Sequence, residues 1–368
     1  MESRLRRLLL DLMLTPGLSG HEGRVRRKLR TAVADFGAEA RTDRAGNLIV
    51  TLPGTDASAP SVMLFTHMDQ LGLVVRKVER DGLLRVERLG GVPEKVLAAT
   101  AVLCCVGEGR DRLGVIGSKS HHATPQEEKY KVLPYPELFI DIGAPDAEAV
   151  RALGIDIGTP VVYEPRAFAV GESRVAGTSV DDRAGCAVIV EVARQIASQR
   201  PPCTVHCVFS VLEEFNLRGA LIAAQALRPD IAIQLDLILA TDTPDLAGRG
   251  EVALGGGPGM SLYSFHGRGT LNGLIPHPAL VRLFEGAAAR NGIPLQRSAQ
   301  VGVLTDNSYV QMVHHGVACI DLGFPMRYSH SPVEMCDLAD LEALTRLLVA
   351  GLGEMDGRLA LDRDEYER

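Results

Sequence analysis

Acidic and histidine side chains follow several apolar segments of this chain, at positions where they could hold a metal ion or move a proton. Thr66-His67-Met68-Asp69 ends one such segment and places a carboxylate two residues after a histidine. A carboxylate at that spacing can orient the imidazole of a metal-bound histidine. A single histidine at a strand end is more often structural, so this motif indicates a site only in company with others.

Two acidic pairs supply further candidates. Asp181-Asp182 precedes an apolar segment with helical spacing, and Glu213-Glu214 follows an apolar run. An aspartate at the start of a helix caps free N–H groups, so we expect Asp182 to lie nearer the cap and Asp181 to face a metal. Two adjacent glutamates repel each other unless one binds a cation, which leaves the other free to act as an acid or base.

Two further positions stand out singly. Asp236 interrupts the apolar run 231–240. Burying an unpaired carboxylate costs several kcal/mol, so its position indicates a metal or a strong hydrogen-bond donor nearby. His330 lies in a polar segment after the apolar run 317–324, and alone it would be an ordinary surface histidine.

The hydrophobic pattern predicts the elements that must position these groups. Apolar residues at three-and-four spacing indicate helices at 2–14, 22–36, 183–197 and 218–227. Short apolar runs bounded by turn residues indicate buried strands at 47–52, 62–66, 204–212, 231–241 and 317–324. Between residues 73 and 163, short strands alternate with glycine-containing turns, which is typical of an all-β unit. We therefore predict an α/β domain formed by 1–72 and 166–368, with a β-rich insertion at 73–165.

Composition limits the possible partners. The net charge of −7 and the pI near 5.8 argue against nucleic-acid binding, which requires an excess of clustered lysine and arginine. No window reaches the roughly 18 to 20 apolar residues of a membrane helix. Several of the 7 cysteines lie in apolar runs without paired spacing, as expected of reduced thiols in a core. These features predict a cytoplasmic protein.

As an ordered set, the motifs resemble the TET-type, FrvX-like metallo-aminopeptidases, metallopeptidase family forty-two, which include glutamyl aminopeptidases. The matching residues extend over essentially the whole chain: Gly17-Leu18-Ser19-Gly20-His21-Glu22, Gly46-Asn47, Thr66-His67-Met68-Asp69, Ile140-Asp141-Ile142-Gly143, Asp181-Asp182-Arg183, Glu213-Glu214, Leu217-Arg218-Gly219-Ala220, Asp236, Asp242-Thr243-Pro244, Thr305-Asp306, Arg327-Tyr328 and His330-Ser331-Pro332 with Glu334.

The resemblance implies a three-layer α/β/α zinc-peptidase domain with an inserted, PDZ-like small β-barrel for dimerisation. It also implies two divalent metal ions, with zinc expected first and cobalt as the alternative. One ion would be held by His67 and Asp236 and the other by Glu214 and His330, with Asp181 bridging both. Glu213 would be the general base that accepts a proton from the attacking water, and Asp69 would orient the imidazole of His67.

The expected substrates are peptides, and the expected assembly is a homo-oligomer built from dimers, up to a tetrahedral dodecamer. The barrel could instead close on itself without a partner. Two alternatives for function stay open: a related two-metal amidohydrolase acting on N-acyl amino acids, and a catalytically silent assembly protein. Phe215-Asn216 and Val303-Leu304 depart from the residues usual in the family, and the roles of His122, Asp306, Arg327 and Glu334 stay open.

Overall fold

The computed structural model describes residues 3–267 and 272–363. Within them, the helices are α1 Arg4–Met13, α2 Gly23–Ala34, α3 Ala147–Ala152, α4 Val180–Ser198, α5 Gly219–Leu227, α6 Pro278–Arg290, α7 Asn307–Val310 and α8 Leu338–Gly353. The strands are β1 Ala40–Thr42, β2 Leu48–Leu52, β3 Val62–His67, β4 Gly72–Val78, β5 Leu84–Leu89, β6 Ala101–Cys104, β7 Arg112–Ile116, β8 Ile140–Asp141, β9 Pro160–Tyr163, β10 Ala167–Val170, β11 Arg174–Gly177, β12 Val205–Ser210, β13 Ile231–Leu239, β14 Gly259–Phe265, β15 Gly273–Leu274, β16 Gln296–Val301, β17 Ala318–Arg327 and β18 Glu334–Asp337.

A 12-stranded mixed sheet forms the centre of the larger domain, with the order β1-β2-β12-β3-β13-β17-β18-β11-β10 and with β14, β15 and β16 branching from β17. The four strands β12, β3, β13 and β17 are parallel neighbours. Their carboxyl ends therefore meet at one edge of the sheet, which is where open α/β sheets bind ligands.

Helices cover both faces of this sheet. Leu64 of β3 packs into a core with α1, α2, α4, α6 and α8, whereas its neighbours Met63 and Phe65 pack into a second core with α5 and α7. Since both faces are covered, every residue of β3 is buried, which explains the continuous apolar run in the sequence. This confirms the predicted α/β fold with three layers.

The insertion is a closed barrel of six strands in the order β4-β5-β8-β7-β6-β9, with its own apolar core. Its first strand begins at Gly72 and its last ends at Tyr163. The barrel predicted from the resemblance is thus present. The limits 73–165 of a separate oligomerisation domain remain a prediction.

Several predicted boundaries were wrong, and local geometry explains them. Strand β12 ends at Ser210 rather than at residue 212, because Leu212 has a left-handed φ of 59° and the chain turns there. Strand β17 continues past residue 324 to Arg327, because Met326 and Arg327 pair with β18. The regular part of helix α4, in contrast, begins at Arg183 as predicted, because Asp181 and Asp182 have non-helical backbone angles. The predicted first helix begins at residue 2, outside the described residues.

Over 3–267 and 272–363, none of the helices combines the length and the apolar character that crossing a membrane would need.

Candidate metal centre

The predicted site residues meet at the carboxyl edge of the parallel strands. His67 ends β3, Asp236 lies in β13, and the glutamate pair follows β12. Asp181 lies in the non-helical segment just before the regular part of α4, and His330 lies between β17 and β18. Asp181 and His330 line a cleft of about 590 Å³ together with His67, Glu213, Glu214 and Asp236. The seventh predicted residue, Asp69, is buried behind His67.

Asp181 directs its two carboxylate oxygens at two different histidines. Oδ1 lies 3.0 Å from Nε2 of His67, and Oδ2 lies 3.6 Å from Nε2 of His330. Nε2 of His330 is also 3.7 Å from Oε1 of Glu214. The peptide bond between Asp181 and Asp182 is cis. The distances to the two histidines place Asp181 between two separate groups of potential ligands.

The other ring nitrogen of each histidine is already engaged with an oxygen that can only accept. Nδ1 of His67 lies 3.1 Å from the carbonyl oxygen of Asp69, and Nδ1 of His330 lies 3.0 Å from that of Gly91. Each Nδ1 therefore carries a proton and donates it, which leaves Nε2 of a neutral imidazole as a lone pair facing carboxylates. Two acceptors face each other stably only when a cation joins them, either a proton or a metal ion.

The donor atoms of the described residues fall into two groups that could each hold an ion. One comprises His67, Asp182 and Asp236, the other Asp181, Glu214 and His330, and the ligand atoms within each group lie within 4.8 Å of one another. Mixed imidazole and carboxylate donors suit zinc and other first-row divalent ions. By the chemistry of its donors, the site fits the two ions that the resemblance implies.

Asp182 both caps helix α4 and lies among potential metal ligands, and the sequence predicted only the cap. Its Oδ1 accepts the backbone N–H of Gly185 at 2.9 Å, which is the predicted cap, and its other oxygen contacts the hydroxyl of Thr66. It also belongs to the group with His67 and Asp236. Because capping already accounts for an aspartate before a helix, the sequence contained no separate signal for this second placement.

Asp69 connects the histidine with the glutamate pair. Its Oδ1 lies 3.6 Å from Nδ1 of His67 and accepts the backbone N–H of Glu213 at 3.1 Å. Its Oδ2 accepts the N–H of Glu214 at 3.1 Å and the hydroxyl of Ser19 at 2.5 Å. One buried carboxylate therefore positions residues from two strand ends.

Gln234 positions Asp236 in a similar way. Its Oε1 accepts the backbone N–H of Asn307 at 2.7 Å, which fixes the orientation of the amide. Nε2 must then point the other way, and it donates to Oδ2 of Asp236 at 3.2 Å. Gln234 lies two residues before Asp236, on the same side of β13, so the period of a strand could have identified it.

The structure separates the roles that the sequence left open. Arg327 donates two hydrogen bonds to Asp242, at 2.8 and 2.6 Å, and ties the end of β17 to the loop after β13. Oδ2 of Asp306 accepts from Ser210 at 3.4 Å, below the strand end. Glu334 bonds the backbone of two site residues. His122 is exposed on a short helical turn of the barrel.

The carboxylates of the site strongly perturb one another. Burial, reinforced by the negative charges of Glu214, Asp306 and Asp236, raises the pKa of Glu213 well above its ordinary value. Burial also raises the pKa of Glu214 to about 7 and that of Asp182 to about 8. Burial lowers the pKa of His67, but the surrounding carboxylates outweigh it and hold that pKa well above normal. Such an excess of buried negative charge is what bound cations would relieve.

Comparisons with known proteins find relatives over nearly the whole chain. The family model described as M42 glutamyl aminopeptidase matches residues 46–347. The chain is 37% identical to the putative aminopeptidase SgcX of Escherichia coli, over 97% of this chain and 95% of that protein. It is 31% identical to the lysyl aminopeptidase of Pyrococcus furiosus, over 95% and 96% of the two chains.

A solved structure shares the fold over nearly the same length. The TET1 peptidase of Pyrococcus horikoshii superimposes with a TM-score of 0.84 at 29% identity, covering 95% of this chain and 99% of that one. That peptidase can assemble into a tetrahedron or a large octahedral shell.

Proposed function

Because the chain belongs to the M42 glutamyl aminopeptidase family and is an aminopeptidase, we propose that it removes N-terminal residues from peptides with two divalent metal ions and Glu213 as general base. The observation that carries this proposal is the position of Asp181, whose two oxygens face the Nε2 atoms of two histidines in separate donor groups.

We assign His67 and Asp236 to one ion and Glu214 and His330 to the other, with Asp181 shared between them. Zinc is the first choice, and cobalt is the alternative for the same donors. When bound, two such ions would polarise the scissile carbonyl and lower the pKa of water. Asp182 is close enough to the first group to serve as an additional ligand.

Glu213 supplies the proton transfers in this proposal. Its carboxylate lines the cleft beside the ligands, and its backbone N–H is held by Asp69. The carboxylate accepts a proton from the water that attacks the carbonyl carbon. It then gives that proton to the leaving amine as the C–N bond breaks, so that it ends the cycle ionised.

The first prediction tests the activity itself. Purified protein loaded with zinc or cobalt should release p-nitroaniline from at least one unblocked aminoacyl-p-nitroanilide, and the N-acetylated form should not react. A chelator should abolish release of p-nitroaniline and added metal should restore it, because the proposed mechanism needs bound metal ions to activate the water.

Each alternative has its own outcome in this assay. Hydrolysis of N-acyl amino acids without release from free amino-acyl substrates would support the amidohydrolase instead. A protein that binds two ions but hydrolyses neither class would support the silent assembly protein.

The second prediction concerns the N-terminal residue. Phe215, Leu237, Val303 and Leu304 line the cleft beside the ligands, and no lysine or arginine lines it among the residues the structure covers. An acidic substrate side chain would lie close to the carboxylates of the site, whereas an apolar one would bury surface. We expect leucyl- and methionyl-p-nitroanilide to exceed the glutamyl substrate by about tenfold or more in kcat/KM, within the range that pocket contacts supply. A glutamyl substrate that ranks first in this panel would contradict this assignment.

For the assembly, we propose that the barrel, residues 73–165, joins subunits into dimers that build a larger shell such as a tetrahedral dodecamer. The barrel leaves large apolar side chains exposed: Leu113 is 60% exposed, Val115 50% and Tyr130 89%. Leu113 and Val115 are two residues apart in β7 and so share one face of the strand, and exposed apolar patches are typical of a subunit interface. The shells that TET1 of Pyrococcus horikoshii can form, on the same fold, support this proposal.

A further inference from the structure

We propose that Glu334 is a positioning residue that sets the donor group of Asp181, Glu214 and His330 before any ion binds. The inference rests on the proposed function in that it takes this group as a metal site. Glu334 itself lies outside both donor groups. It would act through the backbone of two ligands, without touching the ion or the substrate.

The two carboxylate oxygens of Glu334 accept hydrogen bonds from two different loops. Its Oε2 accepts the backbone N–H of Asp181 at 3.1 Å, and its Oε1 accepts the backbone N–H of His330 at 2.7 Å. The side chain is only 3% exposed, so water competes little for these bonds. Strand β18 begins at Glu334, which pairs with Gly177 of β11. The carboxylate thus sits on the sheet, between the segment that leads into α4 and the loop that carries His330.

Both loops have backbone conformations that need outside support. Ser179, just before Asp181, has a φ of 60°, and Tyr328 and His330 have φ values of 62° and 64°. Residues with side chains rarely adopt this left-handed conformation, and it persists where the surroundings determine it. The carboxylate of Glu334 bonds both loops at the N–H of the ligand residue itself. We infer that it fixes the distance between Asp181 and His330.

Asp340 provides a matched control for this arrangement. It is also buried, 1% exposed, and its two oxygens accept the backbone N–H groups of Gly255 and Gly257 at 2.8 and 2.7 Å. Neither glycine belongs to a donor group or lines the cleft. Replacing Asp340 by asparagine therefore removes the same kind of carboxylate clamp without touching a ligand.

The experiment compares Glu334→Gln with Asp340→Asn by calorimetric titration of the metal-free proteins with zinc. Cobalt titrations monitored by visible absorption provide a second, spectroscopic readout. A glutamine retains one acceptor but turns an NH₂ group toward the other N–H, so one of the two ligand residues loses its support. We expect Glu334→Gln to bind the ion held by Glu214 and His330 about 10- to 100-fold more weakly, the usual effect of an outer partner, and to weaken the other ion less, since that ion depends on Glu334 only through Asp181. Asp340→Asn should bind both ions as the wild type does.

Two zinc affinities unchanged in Glu334→Gln would overturn the proposal, and so would an equal loss in Asp340→Asn, which would indicate general loosening. If Glu334→Gln does not fold, Glu334→Asp serves in its place, since the shorter side chain reaches only one of the two loops and should weaken the same ion. The readout is independent of turnover. A wild type that binds two ions without aminopeptidase activity would refute the proposed function and leave this test intact.

Discussion

Replacing Glu213 by glutamine is expected to lower kcat by about 10²- to 10⁴-fold, the usual contribution of a general base, while both ions stay bound. The amide has nearly the same shape and keeps the backbone N–H that Asp69 accepts. What it lacks is the ability to accept a proton and return it to the leaving amine. The effect should therefore fall on kcat, with KM changing little.

The measurement is steady-state hydrolysis of the best p-nitroanilide, paired with metal analysis of the same preparation. Glu172→Gln serves as a control, because this glutamate lies in the turn between β10 and β11 and is exposed. Wild-type kcat in Glu213→Gln with two ions bound would remove Glu213 from the mechanism. A variant that loses metal would instead make Glu213 a ligand.

The parts of the site that were predictable come from residues that end apolar runs. Strands β3 and β12 are mainly apolar and largely buried up to their ends, so His67 and the glutamate pair that follows β12 stand out in the sequence. Parallel order then brings such strand ends together at one edge. The same reasoning predicted the alternation of helices and strands and the β-rich texture of the insertion.

The residues behind the ligands could not be predicted in this way. Glu334 accepts a hydrogen bond from the backbone of Asp181, 153 positions earlier in the chain. The two residues are close because β18 lies between β17 and β11 and pairs with both. Antiparallel pairing between strands so distant in sequence depends on the order of the finished sheet, which no local pattern specifies. The strands β10, β11 and β14 are short or carry mixed residues, and they lack the continuous apolar signal of β3.

Asp182 illustrates a different limit. Its helix-capping position and its place beside His67 and Asp236 are compatible, and the sequence supports only the first. Residue types indicate which chemistry is available, whereas the distribution of several carboxylates between two ions depends on distances of a few ångströms. Those distances are set by packing, here by Asp69, Gln234 and Glu334 behind the ligands.

Replacing Asp181 by asparagine should weaken both metal ions, and it is the second large effect that we predict. Each oxygen of Asp181 faces a different histidine, so the loss of its charge reaches both donor groups. Asp236→Asn and Glu214→Gln each remove a ligand from one group only. We expect zinc content per subunit to fall from about two to below one in Asp181→Asn, and to about one in each of the other two variants. A ligand contributes more than the roughly 10- to 100-fold in affinity that outer partners give.

The comparison is made by metal analysis after dialysis against a weak chelator, with thermal unfolding in excess chelator as the test of folding. Without metal, Asp181→Asn should fold but lose some stability relative to the metal-free wild type, because His67 and His330 face this carboxylate and hold its pKa below the ordinary value against the effect of burial. Activity should fall with metal content and not with stability. If Asp181→Asn retains one ion at wild-type affinity, Asp181 belongs to a single metal site and the shared position proposed for it is wrong.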